Sequence, residues 1–311
     1  MFFGLIVSLL LLSRVAARRV VAVGDLHGDL GASLLTLSNC GLISKEAPHR
    51  WTGGSTTLVQ LGDLLDRGCE EPEVLELLKS LRTEARAAGG DVVTLLGNHE
   101  ILNVCGQAAN FVHPKAMDSF GPDRFAAFAP GSPLARDFFA ECLVVAIIDD
   151  TAYVHAALPA GPSGWPSLPT RESIAELNAA ASAWLRGESS SPPKALQPDH
   201  HSPVWNRAYS SPSGLEPAQH HCQDVKKALA SIGVRRMVVG HTPQDQINCA
   251  CDGTVWRCDT GMSAFVMSGA CEALEVNDGV ARVLGRAEGE PCTEEECAAE
   301  NLSLDYDLFY N

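Results

Sequence analysis

The chain has 311 residues, of which 46% are hydrophobic and 20% are charged, the composition of a folded globular protein. Its 38 acidic residues outnumber its 23 Lys and Arg residues, so the net charge is -15. This charge argues against a nucleic-acid partner or an anionic membrane surface, because both require an extended basic surface.

The chain opens with an apolar run, Phe2 to Leu12, that is too short to span a membrane and is typical of a signal peptide. The small residues Val15–Ala17 follow it and predict cleavage before Arg18. We therefore expect residues 1–17 to be a signal peptide or signal anchor, which would direct the chain to the secretory pathway as an ER-lumen, secreted or membrane-anchored protein. A buried first strand is the alternative.

Apolar runs rich in β-branched residues alternate with stretches of helical periodicity, which predicts an α/β fold built from βαβ units. The predicted strands are residues 19–23, 56–61, 92–96, 143–148, 151–156 and 235–240. The predicted helices among them are residues 29–38, 70–88 and 224–232. Because the runs are continuously apolar, we expect the sheet to be covered on both faces.

We expect one catalytic domain over residues 18–287, interrupted by two insertions. The first, about residues 105–140, is predicted to be helical, and the second, about residues 160–217, is rich in Pro and Ser and holds one helix, residues 171–186. Residues 288–311 contain eight acidic residues and no basic one, which predicts a solvated acidic tail.

The eleven cysteines all follow residue 17, which favours an oxidising compartment with disulfide bonds of undetermined connectivity. A zinc site at Cys249 and Cys251 is an alternative for two of them. Asn301 begins an Asn-Leu-Ser sequon, which would be glycosylated in the same compartment.

Polar residues, most of them able to ligate a metal, follow five of the predicted strands. They are Asp25 and His27 in GDLHG, Asp63, Asp66 and Arg67 in GDLLDRG, Asn98 and His99 in GNHE, and the later His155 and His241. Ligands of open α/β sheets collect at the carboxyl ends of strands, so we expect these side chains to meet at one edge. Asp and His suit Mn, Fe or Zn, and Asp63 is the candidate carboxylate to bridge two such ions.

Taken together, these motifs resemble the metallophosphatase signature of the phosphoprotein phosphatase family, over about residues 20–265. GHTPQ at 240–244, VWNR at 204–207 and DTGMS at 259–263 resemble its Shewanella-like protein phosphatase branch. The resemblance implies a calcineurin-like metallophosphatase fold, with two packed mixed β-sheets flanked by helices.

The resemblance also implies a role for each candidate residue. The first metal would be held by Asp25, His27 and Asp63, and the second by Asp63, Asn98, His155 and His241. The substrate phosphate would be bound by Arg67, Arg207 and Asn98. His99 would be the general acid and Asp66 its orienting partner. For Arg207, packing on Trp205 is the alternative. The implied cofactors are two divalent ions, with Mn expected and Fe or Zn open.

The implied function is hydrolysis of phosphomonoesters in phosphoproteins, at Ser/Thr with Tyr as a further option, by direct attack of a hydroxide that bridges the metals. We expect a monomer whose regulatory subunit the sequence does not specify. A bis(5'-nucleosyl)-tetraphosphatase is one alternative, since such hydrolases share GDxHG and GNH. A catalytically inactive secreted binding protein is another, although such a chain should lack a ligand or His99, and this sequence lacks none.

Overall fold

The computed structural model describes residues 18–158, 168–210 and 214–286. Its strands, in chain order, are β1 (Val20–Val23), β2 (Thr57–Gln60), β3 (Asp91–Thr94), β4 (Val145–Ile148), β5 (Thr151–Val154), β6 (Arg236–Val239), β7 (Asn248–Ala250), β8 (Val255–Arg257), β9 (Ala273–Asn277) and β10 (Val280–Leu284). Its α-helices are α1 (Leu30–Asn39), α2 (Glu71–Ala87), α3 (Asn98–Val104), α4 (Arg124–Phe128), α5 (Pro133–Asp137), α6 (Arg171–Leu185) and α7 (Gln219–Ile232).

The strands form two mixed five-stranded sheets, which confirms the expected architecture. The first has the order β10-β9-β1-β2-β3, and the second has the order β4-β5-β6-β8-β7. Strands β1, β2 and β3 are parallel to one another, and so are β5, β6 and β8. The loops that follow the parallel strands of each sheet therefore all lie at the carboxyl-end edge of that sheet. These loops carry the polar motifs.

The central strands of each sheet are buried on both faces, as the continuous apolar runs predict, whereas the edge strand β10 exposes one face. Val20 and Ala22 of β1 belong to a core that also holds Tyr153 and Trp256 of the second sheet, so these inner faces pack together. Val21, on the opposite face of β1, belongs to the larger core shared with the helices. The two cores fix the sheets and the surrounding helices relative to one another.

Four strands, β7 to β10, are missing from the sequence prediction because β7 and β8 have only three residues each and the apolar residues of β9 and β10 are interrupted by charged ones. The β9–β10 hairpin turns at Asp278 and Gly279, both with positive φ. An Asp-Gly pair between two short runs is a strong hairpin signal, so this pairing could have been predicted.

Between residues 105 and 140, short helical pieces alternate with turns and loops. Helices α4 and α5 are separated at Pro130 and Gly131, and a 3-10 turn, Phe139–Glu141, follows them. The described part of the second insertion contains α6 and a short 3-10 turn, Lys194–Leu196. No helix in the described ranges is both long and apolar enough to cross a membrane.

Cys222 of α7 and Cys251 form a disulfide bond. The alternative of a zinc site at Cys249 and Cys251 is therefore wrong, because the Cys251 sulfur is already bonded. The predicted leader, residues 1–17, and the acidic tail, residues 288–311, lie outside the described residues.

Candidate active site

Seven of the ten predicted site residues line one cleft of about 240 Å³ at the carboxyl ends of the strands. They are His27, Asp63, Arg67, Asn98, His99, Arg207 and His241. The other three, Asp25, Asp66 and His155, are fully or almost fully buried beside them. The ten residues come from six separate segments of the chain, which lie on both sheets, so the fold brings together residues that are far apart in the sequence.

The loops that carry these residues have an unusual backbone. His27, Asp63, Asp66, Arg67 and His241 all have positive φ, between 46° and 69°. Residues other than glycine rarely adopt this conformation, and it persists where the surrounding structure imposes it, commonly at functional sites. At Gly97 a side chain would collide with the Asp63 carboxylate, so GNHE needs a glycine for the loops to approach.

Asp63 lies at the centre of the site and belongs to two groups of potential metal ligands. One group is His27, Asp63 and His99, and the other is Asp63, His155 and His241. Asp63 Oδ2 is 3.8 Å from His27 Nε2, and Asp63 Oδ1 is 3.3 Å from His155 Nε2. Its two oxygens thus face different histidines, the arrangement that a carboxylate shared by two ions requires.

Asn98 and Asp25 complete the second side of this centre. Asn98 Oδ1 is 3.0 Å from His155 Nε2, so their ligand atoms converge. Asp25 Oδ1 is 4.0 Å from His155 Nδ1, and the Asp25 carboxylate accepts the His241 backbone N–H at 3.2 Å. Asp25 therefore lies beside His155 and His241.

The imidazole rings are held with one nitrogen directed at the centre. His27 Nδ1 donates to Leu65 O at 2.9 Å, and His155 Nδ1 donates to Leu61 O at 2.8 Å. A carbonyl can only accept, so Nδ1 carries a proton in each ring and Nε2 is the atom that a metal would bind when the ring is neutral. Such backbone partners fix the tautomer and orientation of metal-binding histidines.

The charges at this edge favour bound cations. Burial, with the nearby Asp259 and Asp63 carboxylates, raises the pKa of Asp25 well above its usual range. Burial also raises the pKa of Asp259 to about 6. Crowded buried carboxylates, an amide oxygen and oriented imidazoles form a donor set that fits two divalent ions. Such ions would stabilise negative charge on a phosphoryl group and lower the pKa of water.

The two arginines lie at the entrance of the cleft, and both are exposed. The Arg67 guanidinium lies 5.1 Å from the centre of the Phe111 ring, and its backbone N–H donates to Phe111 O at 2.9 Å. Arg207 Nη1 donates to His241 O and to Thr242 Oγ1, both at 2.9 Å. Arg207 is therefore anchored on the GHT loop, with its guanidinium directed at the cleft.

His99 and Asp66 form a tight pair. His99 Nδ1 donates to Asp66 Oδ2 at 2.6 Å, and His99 Nε2 is 3.9 Å from Asp63 Oδ2. Burial lowers the pKa of His99, but the charge of Asp63 and the bond to Asp66 outweigh it and raise the pKa above its usual value. A protonated imidazole of this kind can give a proton to an oxygen in the cleft.

Glu100 has the structural role that the sequence suggested, since its carboxylate joins two motifs. It accepts backbone N–H groups of Asp63, Leu64 and Gly97 at 2.7 to 2.9 Å. These three bonds tie the GDLLDRG loop to the start of α3. They leave Glu100 turned away from the cleft.

Several residues around the site were not predicted from the sequence. Asp259, Phe265 and Val266 line the cleft, and the DTGMS segment could have pointed to the first of them. Glu71, Asn103 and Arg124 form a buried network behind Asp66, described below. Arg124 lies in the first insertion, and no sequence motif marks it.

Comparison with known proteins agrees with this geometry. The Calcineurin-like phosphoesterase family model matches residues 18–245. Shewanella-like protein phosphatase 2 of Arabidopsis thaliana is 33% identical, over 83% of this chain and 75% of that protein. Shewanella-like protein phosphatase 1 of Plasmodium berghei is 27% identical, over 81% of this chain and 69% of that protein.

A solved structure of a mutant cold-active protein tyrosine phosphatase superposes with a TM-score of 0.71 at 24% identity, covering 86% of this chain and 77% of that one. This likeness shows the fold. From the family match, the relatives and the site geometry, the chain belongs to the calcineurin-like phosphoesterase family, in its Shewanella-like protein phosphatase branch, and is a metal-dependent phosphatase.

Proposed function

We propose that this phosphatase removes phosphate from phosphoproteins. The observation that carries the proposal is the cleft itself, in which two exposed guanidiniums and the His99–Asp66 pair surround a space of about 240 Å³. Small-molecule sites typically enclose about 300–1,000 Å³, so this space suits a phosphoryl group and the end of one side chain. The rest of a protein substrate would lie outside.

Each of these residues has a distinct task in the proposed reaction. Arg67 and Arg207 bind the phosphoryl oxygens and stabilise their negative charge as the reaction proceeds. A water oxygen forms the new bond to phosphorus as the bond to the substrate oxygen breaks. His99 Nε2 gives its proton to that leaving oxygen, and Asp66 keeps the ring oriented through Nδ1. The products are inorganic phosphate and the free hydroxyl group.

The rival functions fit the site less well. A dinucleoside tetraphosphate carries two nucleosides and four phosphates, far more than a space of about 240 Å³ can enclose. An inactive binding protein would have no need for a 2.6 Å bond that orients His99. The relatives named as protein phosphatases also support the protein substrate.

Phosphotyrosine is a second candidate beside phosphoserine and phosphothreonine. Phe265 lines the cleft, is 41% exposed and lies 5.4 Å from the His113 ring, so it offers an aromatic wall at the entrance. A phenyl ring can stack there while its phosphate reaches the arginines. The solved structure with a similar fold is named a protein tyrosine phosphatase, which supports this option.

For the metals we propose Mn, because carboxylate, amide and imidazole ligands suit it, with Fe or Zn as the other options. We also propose a monomer that works in the secretory pathway. The Cys222–Cys251 disulfide supports an oxidising compartment.

The test is turnover of the purified chain, supplied with Mn, on matched phosphopeptides that differ only in the phosphorylated residue. The proposal expects kcat/KM for one or more phosphopeptides to exceed that for diadenosine tetraphosphate by at least tenfold. Phe265→Ala should reduce kcat/KM for the phosphotyrosine peptide more than for the phosphoserine peptide. Hydrolysis of the dinucleotide alone would refute the proposal.

A further inference from the structure

A buried network behind Asp66 links the catalytic pair to the first insertion. The Asp66 carboxylate accepts from His99 Nδ1 at 2.6 Å, from Asn103 Nδ2 at 3.0 and 3.1 Å, and from Arg124 Nη2 at 3.4 Å. The Asp66 backbone N–H donates to Glu71 Oε1 at 2.7 Å. Apart from His99, the side chains that hold the backbone and the carboxylate of Asp66 do not line the cleft.

Arg124 joins the other members of this network. Its Nη1 and Nη2 donate to the two Glu71 oxygens at 2.6 and 2.7 Å, and its Nε donates to Asn103 Oδ1 at 3.0 Å. Arg124 is 2% exposed and Glu71 is completely buried. The Phe120 and Phe128 rings lie 5.3 and 4.9 Å from the guanidinium carbon and exclude water from this side.

Arg124 bridges the two buried carboxyl groups of the network. It forms a bidentate ion pair with Glu71, and its Nη2 lies 3.4 Å from Asp66 Oδ1. The other Asp66 oxygen, Oδ2, is thereby left facing His99 Nδ1. Asp66 also has a φ of 67°, a conformation that its surroundings must impose.

We propose that Arg124 is a positioning residue for proton delivery: it aims Asp66 Oδ2 at His99 Nδ1 by holding Glu71 and Asn103. The first insertion, which carries Arg124 on α4, is then part of the catalytic machinery. This inference rests on the phosphomonoesterase activity of the family and not on the identity of the protein substrate.

The test uses Arg124→Lys, which keeps the charge but cannot make the bidentate pair and the Nε bond together. We expect kcat for an alkyl phosphate to fall about tenfold or more, part of the ~10²–10⁴-fold contribution of a general acid. We expect kcat for an aryl phosphate with an acidic phenol to change little, because that oxygen can leave without a proton. KM and metal content should stay close to wild type.

A second readout does not depend on activity. In metal-free protein labelled with ¹⁵N-histidine, the short bond from His99 to Asp66 should give a downfield Nδ1–H proton resonance. Assignment with His99→Asn identifies the signal, and Arg124→Lys should shift it upfield or broaden it. A scaffold role alone would leave both the leaving-group dependence and this resonance unchanged.

Arg19→Lys is the matched control, because Arg19 pairs with Glu275 at 2.6 Å beyond the opposite end of β1 from Asp25. It should leave the ratio of the two kcat values unaltered. If Arg124→Lys does not fold, Asn103→Leu is the second variant, because it removes another contact to Asp66 without burying a lone charge. The ratio of kcat for the alkyl phosphate to kcat for the aryl phosphate then tests the proposal. Equal losses on both substrates, or no loss, with an unshifted resonance would overturn the proposal.

If the wild type cleaves both small phosphates but no phosphopeptide, only the proposed protein substrate is refuted.

Discussion

Asp63 and His155 come from different β-sheets, yet Asp63 Oδ1 lies 3.3 Å from His155 Nε2. Asp63 follows β2 of the first sheet and also faces His27, 3.8 Å away through its other oxygen. The centre of the site is therefore a carboxylate on one sheet that contacts histidines from both. Metal binding should accordingly be coupled to the packing of the two sheets against each other.

The first prediction concerns metal content. We expect about two divalent ions per chain, lost together with activity on chelation. Asp63→Asn removes the shared charge, so metal content should fall. The drop in kcat/KM should exceed the ~10–100-fold loss that is typical when a residue hydrogen-bonded to a metal ligand is mutated. Elemental analysis and steady-state kinetics measure both quantities.

Asp150→Asn is the matched control, because Asp150 pairs with Arg235 just before β5 and away from the cleft. It should retain both ions and full activity. A fully active, metal-loaded Asp63→Asn protein would rule out a shared carboxylate.

The second prediction concerns proton delivery by His99. His99→Asn should lower kcat for phosphoserine peptides by ~10²–10⁴-fold, because a basic alkoxide must be protonated as it leaves. An aryl phosphate with an acidic phenol should be affected much less. Asp66→Asn should show the same pattern more weakly, since Asp66 only orients the ring.

The exposed His49 provides a matched control, and His49→Asn should leave both kcat values unchanged. Metal content must be measured for every variant. Equal losses on the two substrates at full metal occupancy would mean that His99 acts in binding or on the attacking water instead.

The third prediction concerns stability without metals. Burial raises the pKa of Glu100 to about 7 and that of Asp259 to about 6, so the metal-free fold retains protons that the unfolded chain loses near pH 4. At these two carboxyls the unfolded chain binds fewer protons between these values, so their contribution to metal-free stability falls as pH rises from about 4 to about 7. His27, whose pKa burial lowers to about 4, contributes with the opposite sign up to about pH 6.5, which leaves the loss from the carboxyls clearest above that pH. Bound cations oppose this loss because they offset the carboxylate charges.

Thermal unfolding of chelated and metal-loaded protein measures this effect. The Tm gained on metal loading should be larger at pH 8 than at pH 5.5. Tm gains that are equal at the two pH values would show that the buried carboxylates do not govern metal-free stability.

The fourth prediction concerns the compartment. Expression in eukaryotic cells should give a mature chain that begins near Arg18, because the apolar run ends in small residues suited to cleavage. Asn301 should carry a glycan that glycosidase removes, and Asn301→Gln should abolish the mobility shift. Mass spectrometry of an unprocessed, unglycosylated cytosolic protein would contradict the secretory route.

The sequence by itself determined the metal-binding motifs and most of the α/β order. Each motif directly follows a strongly apolar strand, and both signals are local in the chain, so Asp25, His27, Asp63, Asn98, His99, His155 and His241 could all be identified. The two-sheet arrangement came from resemblance, because strand pairing between distant segments leaves little local trace. Strands β7 to β10 were missed because they are very short or interrupted by charged residues, although Asp278-Gly279 offered a hairpin signal.

Only the tertiary structure decided what surrounds these residues. It paired Cys222 with Cys251, seated Arg207 on the GHT loop, and brought Arg124 from the first insertion to Glu71 behind Asp66. Arg124 lies 58 positions from Asp66 and no motif marks it. Its position follows from the packing of α4 against the core through Phe128, and long-range packing of this kind is a property of the folded chain.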